Sequence, residues 1–191
     1  MFDEIMMARI DDGSVCTRID SPVGPLTLMA SAAGLHAVLW DHELDACGAN
    51  SGRVVRDSHH PVLLRACSQL AEYFAGTRTR FELPLVPRGT SFQLQIWQLL
   101  CEIPYGQTLS YGELAALSGD RNRARAVGLA NSKNPISIII PCHRVIGRSG
   151  ALTGFGGGLP RKAALLELER RVQPCTRQHV GVAQCELPHI G

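Results

Sequence analysis

The chain has 191 residues, of which 45% are apolar and 19% charged, a composition typical of a globular protein and not of a disordered or fibrous one. No apolar stretch approaches the roughly 18 residues of a membrane-spanning helix, and the acidic start lacks the basic segment of a secretory signal, so we expect neither. The net charge is +2, but residues 1–85 carry seven basic and eleven acidic residues, whereas residues 86–171 carry eleven basic and five acidic ones. This asymmetry predicts a polyanion-binding surface on the second half.

The first half begins with a predicted antiparallel sheet. Residues 15–20, 26–30 and 35–40 predict strands, and the last two flank a turn that contains Gly34. The polar stretch 41–60 that follows predicts an exposed loop.

A helix is predicted after this loop. Pro61 suits its first turn and Gly76 its end. Residues 79–86 predict a further strand, and the prolines and glycine around its end predict a boundary within the chain. The apolar face of the helix is predicted to consist of Leu63, Cys67, Leu70 and Phe74.

The second half has a helical pattern. Its first helix is predicted to stop at Pro104, and Ser110 with Glu113 forms a capping-box sequence that opens the next one. Another helix is predicted over 122–131, after a glycine-containing turn, which makes the pair a candidate helix-turn-helix. Arginines around the second helix favour DNA binding, although Arg121 alone is typical of a solvated helix face. The apolar face of the first helix is predicted to be Phe92, Ile96, Leu99 and Ile103.

A glycine-rich loop, residues 147–158, precedes a final helix that opens at Pro160. The loop lacks the arrangement of a phosphate-binding loop, so we reject a nucleotide site there and expect the glycines to let backbone approach a flat ligand. Residues 172–191 show no periodicity and predict a tail. The inner side of the final helix is predicted to carry Ala164, Leu165 and Leu168.

Seven scattered cysteines, without a Cys-x-x-Cys pair, are typical of a reducing cytoplasm. We expect no disulfide framework, and at most one or two thiols with special chemistry.

Cys142 stands out because His143 follows it directly, at the end of an apolar run. A neighbouring imidazole can deprotonate a thiol, directly or through a water, if a carboxylate such as Glu167 or Glu169 orients the ring. The alternative is a buried cysteine beside a structural histidine.

The sequence around Cys142 resembles a known family. Pro141-Cys142-His143-Arg144-Val145 is similar to the signature of the O6-alkylguanine-DNA alkyltransferases, or methylated-DNA–protein-cysteine methyltransferases, and the resemblance to bacterial members extends over roughly residues 15–171. Other matching segments are Ser21-Pro22-Val23-Gly24-Pro25-Leu26, Glu72-Tyr73-Phe74-Ala75-Gly76, Tyr105-Gly106 with Ser110-Tyr111, Arg125-Ala126-Val127-Gly128, Asn134-Pro135, Leu152 to Gly158, and Arg161-Lys162 to Glu169.

This resemblance implies an α+β fold in two parts. Residues 1–88 would form a ribonuclease-H-like α/β domain. Residues 89–171 would form a mostly helical DNA-binding and alkyl-acceptor domain with a winged-helix-like helix-turn-helix, and residues 172–191 would be the tail. It also implies a cytoplasmic monomer with no cofactor, no metal, no membrane and no obligate protein partner.

The resemblance implies a chemical role for each of five side chains. Cys142 would accept the alkyl group from O6-alkylguanine, and by analogy from O4-alkylthymine, in one irreversible turnover. His143 would deprotonate the thiol through a water, and Glu169 would orient His143. Tyr111 would donate a hydrogen bond to the leaving base, and Asn134 would brace the turn that presents the thiol.

The resemblance further implies how the substrate is held. Duplex DNA would be bound through its minor groove, and the damaged base would be flipped out while Arg125 fills the vacated stack. Expected contacts with the base or its alkyl group are Val145, Phe155, Gly156, Gly157 and Ser137, and expected contacts with DNA are Arg125, Arg123, Ala126, Gly128 and Ala130.

Other hypotheses remain open at this point. A binding module that senses alkylated bases without transfer is the main alternative, although relatives of that kind carry Trp where this chain has Cys142. A thiol hydrolase would use the same cysteine and histidine but leaves the arginine-bearing helix pair unexplained. Four zinc-competent side chains in the tail are spaced unlike a zinc finger, so we predict no metal site from Cys175, His179, Cys185 and His189.

Overall fold

The structure is a computed structural model that describes residues 13–43 and 54–172, with the single positions 185 and 187. In its first half, three strands form the predicted antiparallel meander: β1 (Val15–Ile19), β2 (Leu26–Ser31) and β3 (Gly34–Trp40). A short strand that the sequence did not predict, β4 (Val55–Arg56), pairs parallel with β1, so the sheet order is β3-β2-β1-β4.

The strand predicted over residues 79–86 is wrong. Only Leu85 forms a bridge with the sheet, opposite Leu35 of β3. A side chain at Gly34 would place its Cβ 2.4 Å from the Pro84 carbonyl oxygen, so this close crossing of the two segments requires glycine. Pro84 within the segment has no N–H to donate, which limits ladder formation.

Helix α1 (Pro61–Phe74) packs on the sheet and begins at the predicted proline. The buried face of this helix is rotated from the predicted one, and Cys67 and Phe74 of the predicted face are only partly buried. Gln69 is buried because its amide bonds both the N–H and the carbonyl of Glu82, at 2.8 and 3.0 Å. The buried residues of the helix are Leu63, Ala66, Gln69, Leu70 and Tyr73.

The second half is helical, with α2 (Ser91–Cys101), α3 (Tyr111–Leu117), α4 (Ala124–Ser132) and α5 (Leu159–Val172). The predicted capping box at α3 is confirmed, since the Ser110 and Glu113 side chains each bond the other's backbone N–H. Helix α2 stops before Pro104 and buries Ile96, Trp97, Leu100 and Cys101, so Phe92 and Leu99 of the predicted face lie only at its margin.

Helix α5 buries Lys162, Leu165 and Glu169, whereas the predicted inner residue Ala164 is exposed. A polar inner face of this kind cannot be found by counting apolar residues. The two halves share one apolar core, and β3 also touches the second half directly, because Val38 N–H donates to the Pro135 carbonyl at 3.0 Å.

Cys101 and Cys185 form a disulfide, a pairing that the sequence did not predict. Their separation of 84 residues in the chain gave no sequence signal for the pairing. Cys16, Cys67 and Cys142 are free.

Within the described ranges there is no cluster of three metal-ligating side chains, and three members of the tail pattern, Cys175, His179 and His189, lie outside those ranges. None of the helices in the described ranges is both long and apolar enough to cross a membrane.

Candidate active site

Cys142 begins a short 3-10 turn, Cys142–Arg144, that follows the apolar run of residues 136–140. The run contains a tight turn in which Ile138 takes a left-handed conformation, φ +73°, which is rare for a β-branched residue. Asn134 holds this turn from both sides: its Nδ2 donates to the Ile140 carbonyl at 2.8 Å, and its Oδ1 accepts from Ile136 N–H at 3.0 Å. The cysteine is thus presented by a constrained backbone.

The thiol of Cys142 is buried, with 5% of the residue exposed. Burial raises its pKa to about 11 and the charge of Glu43 adds to this, while Asn134 and Lys162 act in the opposite direction. A thiol with this pKa is almost entirely protonated at neutral pH, so a nucleophilic role requires a base.

His143 and Glu169 supply the arrangement that such a base needs. The imidazole Nε2 lies 2.8 Å from Glu169 Oε1, and both side chains are fully buried. Since a carboxylate only accepts, Nε2 carries the proton and Nδ1 presents its lone pair. Nδ1 is buried and has no hydrogen-bond partner within the described residues. Burial also lowers the pKa of His143, although Glu169 partly offsets this, so the ring is neutral at pH 7 and able to take a proton.

Glu169 is the centre of a buried network. Arg144 donates to it from Nε and Nη2, at 2.9 and 2.8 Å, Tyr73 from its hydroxyl at 2.8 Å, and Gly106 from its backbone at 3.0 Å. Burial alone would raise the pKa of this carboxyl, but His143 and Arg144 outweigh burial and hold the pKa well below its usual range. Glu169 is therefore a fixed anion. Glu167, the other candidate from the sequence, instead pairs with exposed arginines of its own helix.

A small cavity of about 10 Å³ opens beside Cys142, with room for about one water molecule. Besides Cys142 itself, its lining includes four of the predicted site residues and two that the sequence did not single out, Glu43 and Asn131. Asn131 Nδ2 lies 3.5 Å from the Cys142 carbonyl, and its Oδ1 is buried without a partner among the described residues. The predicted lining residues are Asn134, Ser137, Phe155 and Gly156.

Two predicted substrate contacts, Val145 and Gly157, do not line this cavity. The Val145 carbonyl accepts from Lys162 Nζ at 2.5 Å, and the same ammonium donates to the Thr153 carbonyl at 2.7 Å. Gly157 is packed against Trp40, because a Cβ on it would lie 2.6 Å from the indole. The two positions therefore support the glycine-rich loop from behind.

The first half of the chain helps to fix this loop. Trp40 meets Phe155 edge to face, with 5.8 Å between ring centroids. Arg161 lies over the same indole at 5.0 Å and donates to the carbonyls of Val23 and Gly157, at 2.7 and 2.9 Å. The loop is thus held between the two halves of the chain.

Tyr111 stands at the start of α3, across from the loop. Its hydroxyl donates to the carbonyls of Thr153 and Gly154, both at 3.3 Å, which are long bonds that a better acceptor can replace. A Cβ on Gly128 of α4 would lie 3.7 Å from the Tyr111 ring. Tyr111 therefore connects the helix pair with the cavity.

The exposed face of the helix pair is basic. Arg121, Arg123, Arg125 and Ala126 are exposed, and Arg123 forms a loose ion pair, 3.6 Å, with Asp120. The prediction that Ala130 contacts DNA is wrong. It is only 2% exposed, because it shares the inner face of α4 with the buried Val127 and Asn131.

Sequence reasoning missed several residues of the network. Arg144 and Lys162 appeared only as letters in motifs, and a charged side chain gives no sequence signal for full burial. Tyr73 lies 96 residues from Glu169, so only the fold brings them together. Glu43 lines the cavity although the stretch that contains it, residues 41–60, predicts an exposed loop.

Comparison with known proteins finds two family models that together span most of the chain. The model for the ribonuclease-like domain of 6-O-methylguanine DNA methyltransferase matches residues 14–87. The model for the DNA-binding domain of 6-O-methylguanine DNA methyltransferase matches residues 91–171.

Individual proteins agree with these matches. The methylated-DNA–protein-cysteine methyltransferase of Mycobacterium leprae is 51% identical over 155 residues, which cover 81% of this chain and 92% of the relative. The protein of the same name from Methanosarcina barkeri is 46% identical, over 79% of this chain and 94% of the relative. The crystal structure of Mycobacterium tuberculosis O6-methylguanine methyltransferase has a TM-score of 0.76 and 47% identity, over 85% of this chain and 96% of the other. A crystal structure of Mycobacterium tuberculosis OGT in complex with DNA has a TM-score of 0.74 and 48% identity, over 83% and 94%.

Proposed function

The chain belongs to the 6-O-methylguanine DNA methyltransferase family, and on this premise we propose that it repairs DNA by moving the alkyl group of O6-alkylguanine to its own Cys142. The observation that carries the proposal is the buried row Cys142–His143–Glu169, in which a fixed anion leaves the lone pair of His143 Nδ1 available. These three residues lie beside a cavity that is lined in part by Asn131 of α4, and the helix pair that contains α4 presents exposed arginines.

The proposed reaction is a single in-line displacement. The thiol proton passes to His143 Nδ1 through a water, and the sulfur forms a bond with the alkyl carbon as the bond from carbon to O6 breaks. The guanine takes the released electron pair, and the Tyr111 hydroxyl donates a hydrogen bond toward N3 as the base gains charge. The product is a thioether that nothing in the site reverses, so each molecule reacts once.

The substrate base is reached by flipping it out of duplex DNA. Arg125 is exposed on α4 and is proposed to fill the vacated stack. The small Ala126 and Gly128 allow a close approach to the minor groove, and the exposed Arg123 is proposed to contact the DNA beside them. The minor groove carries little sequence information, which suits a protein that must inspect all DNA. Because arginines contact phosphates, the affinity is expected to fall as salt rises.

The proposal extends to the organisation of the protein. We infer a ribonuclease-H-like domain over 1–88, an acceptor domain over 89–171 and a tail over 172–191. We also infer a monomer in the cytoplasm that needs no cofactor and no protein partner. Cell fractionation of the endogenous protein, and light scattering of the purified one, check the last two inferences.

The test uses a duplex with one O6-methylguanine and a matched undamaged duplex. The wild type is expected to gain one methyl group, measured by intact-protein mass spectrometry, only with the damaged duplex. The Cys142→Ser variant is expected to gain none while it still binds the duplex in a mobility-shift assay. Binding by the wild type without any gain in mass would favour a lesion sensor, the alternative function, over a transferase.

A further inference from the structure

Glu43 is the residue of the first half that enters the cavity beside Cys142, among the described residues that line it. It ends a short turn, Asp41–Glu43, that follows β3. Its Oε2 accepts from Trp40 N–H at 2.9 Å, and its Oε1 lies 3.3 Å from the point where a Cβ on Gly156 would stand. The carboxylate is therefore held against the loop that closes over the thiol.

The alkyl-transfer mechanism does not use a carboxylate at this place. The charge of Glu43 adds to burial in raising the pKa of Cys142, so it opposes formation of the thiolate. His143 already has its orienting anion in Glu169, at 2.8 Å. A negative charge that hinders the nucleophile, yet is held in the cavity by a backbone hydrogen bond, calls for a different explanation.

The charge in the cavity provides it. The Glu43 carboxylate lines the space beside Cys142, where the substituent on O6 must lie during transfer. An anionic substituent would meet a like charge in a partly buried site, where repulsion is screened less than in bulk water. Specificity is commonly built from such repulsive elements.

We propose that Glu43 determines which alkyl group is accepted, selecting by its charge against anionic groups such as carboxymethyl. This inference rests on the proposed function. The bonds formed and broken are those of the methyl reaction, with sulfur displacing O6 at the substituted carbon. Only the substituent beside that carbon differs.

The test compares three duplexes that differ only in the O6 substituent: methyl, carboxymethyl or benzyl. Single-turnover rate constants are measured for the wild type, Glu43→Gln, Glu43→Asp and Glu43→Ala. Asp41→Asn is the matched control, since that carboxylate is in the same turn but pairs with Arg18 outside the cavity. Thermal unfolding and duplex binding establish that each variant is folded.

Glu43→Gln removes charge and keeps volume, so we expect the carboxymethyl-to-methyl ratio to rise at least about tenfold, with the benzyl-to-methyl ratio within about twofold of the wild type. Glu43→Ala should also raise the carboxymethyl-to-methyl ratio, Glu43→Asp should still reject carboxymethyl, and Asp41→Asn should change neither ratio.

Two results would overturn the inference: an unchanged carboxymethyl-to-methyl ratio in Glu43→Gln, or an equal change for all three substrates, which would mean that Glu43 acts on the thiol alone. Failure of the proposed function is distinct, because the wild type would then transfer no methyl group.

Discussion

Replacing His143 by glutamine tests the proposed base directly. The glutamine amide can still donate a hydrogen bond to Glu169, but it has no lone pair able to accept the thiol proton. In the variant, Cys142 must ionise without help, and its pKa of about 11 then governs the rate. The measurement is the single-turnover rate constant for an O6-methylguanine duplex between pH 6 and pH 10.

The magnitude follows from that pKa. At pH 8 a group with a pKa of about 11 is ionised in roughly one molecule in a thousand, and this fraction rises tenfold with each pH unit. The variant rate should therefore be small at pH 8 and increase about tenfold per pH unit. The wild-type rate should stay nearly flat over the same interval, because the pKa of His143 is below its ordinary value of 6.5 and the ring remains a base. It should decline only at lower pH, where His143 gains a proton.

Thermal unfolding and duplex binding by the variant serve as controls for folding. A variant with a flat pH profile at the wild-type rate would refute the role of His143 as the base. A wild-type rate that climbs tenfold per pH unit would do the same.

Three further predictions concern the buried network, the glycine-rich loop and the flipping of the base. Glu169→Gln leaves a buried guanidinium without its partner and should lower the free energy of unfolding in urea by about 3–5 kcal/mol, whereas Glu167→Gln on the exposed side should leave the urea midpoint unchanged. Gly157→Ala forces a Cβ to within 2.6 Å of the indole behind the loop, so it should slow transfer of the benzyl group from free O6-benzylguanine to Cys142, and an unchanged rate would contradict this packing. Arg125→Ala should slow transfer from duplex DNA far more than from the free base, because only the duplex requires flipping; equal losses, or an equal effect of Arg121→Ala, would refute its role.

Local signals in the sequence predicted much of the fold. Alternating apolar residues and a turn were enough to predict the meander, and caps such as Ser110 with Glu113 were enough to predict the helix pair. Both signals depend only on residues close together in the chain. The composition of segment 79–86 predicts a strand, yet in the structure the segment forms only one bridge with the sheet, through Leu85. Which face of a short helix is buried also depends on its neighbours, so Ala130 was placed on the wrong side of α4.

For the site, the sequence predicted which residues lie close together better than it predicted their environment. Adjacency and family resemblance predict a group of Cys142, His143 and Glu169, and in the structure His143 and Glu169 are in hydrogen-bond contact beside Cys142. The burial of Arg144 and Lys162 could not be predicted from the sequence. A buried charge is stable only when it is paired with hydrogen-bond partners, and these partners come from distant segments of the chain.

Cys142 itself is the proposed acceptor of the alkyl group and is used once. Peptide mass mapping after reaction with an excess of duplex carrying O6-methylguanine tests this directly. We expect one methyl group per protein molecule at saturation, on the peptide that contains Cys142, with none on the peptides of Cys16 and Cys67. Methyl groups on another residue, or continued release of repaired DNA after Cys142 is fully methylated, would contradict it.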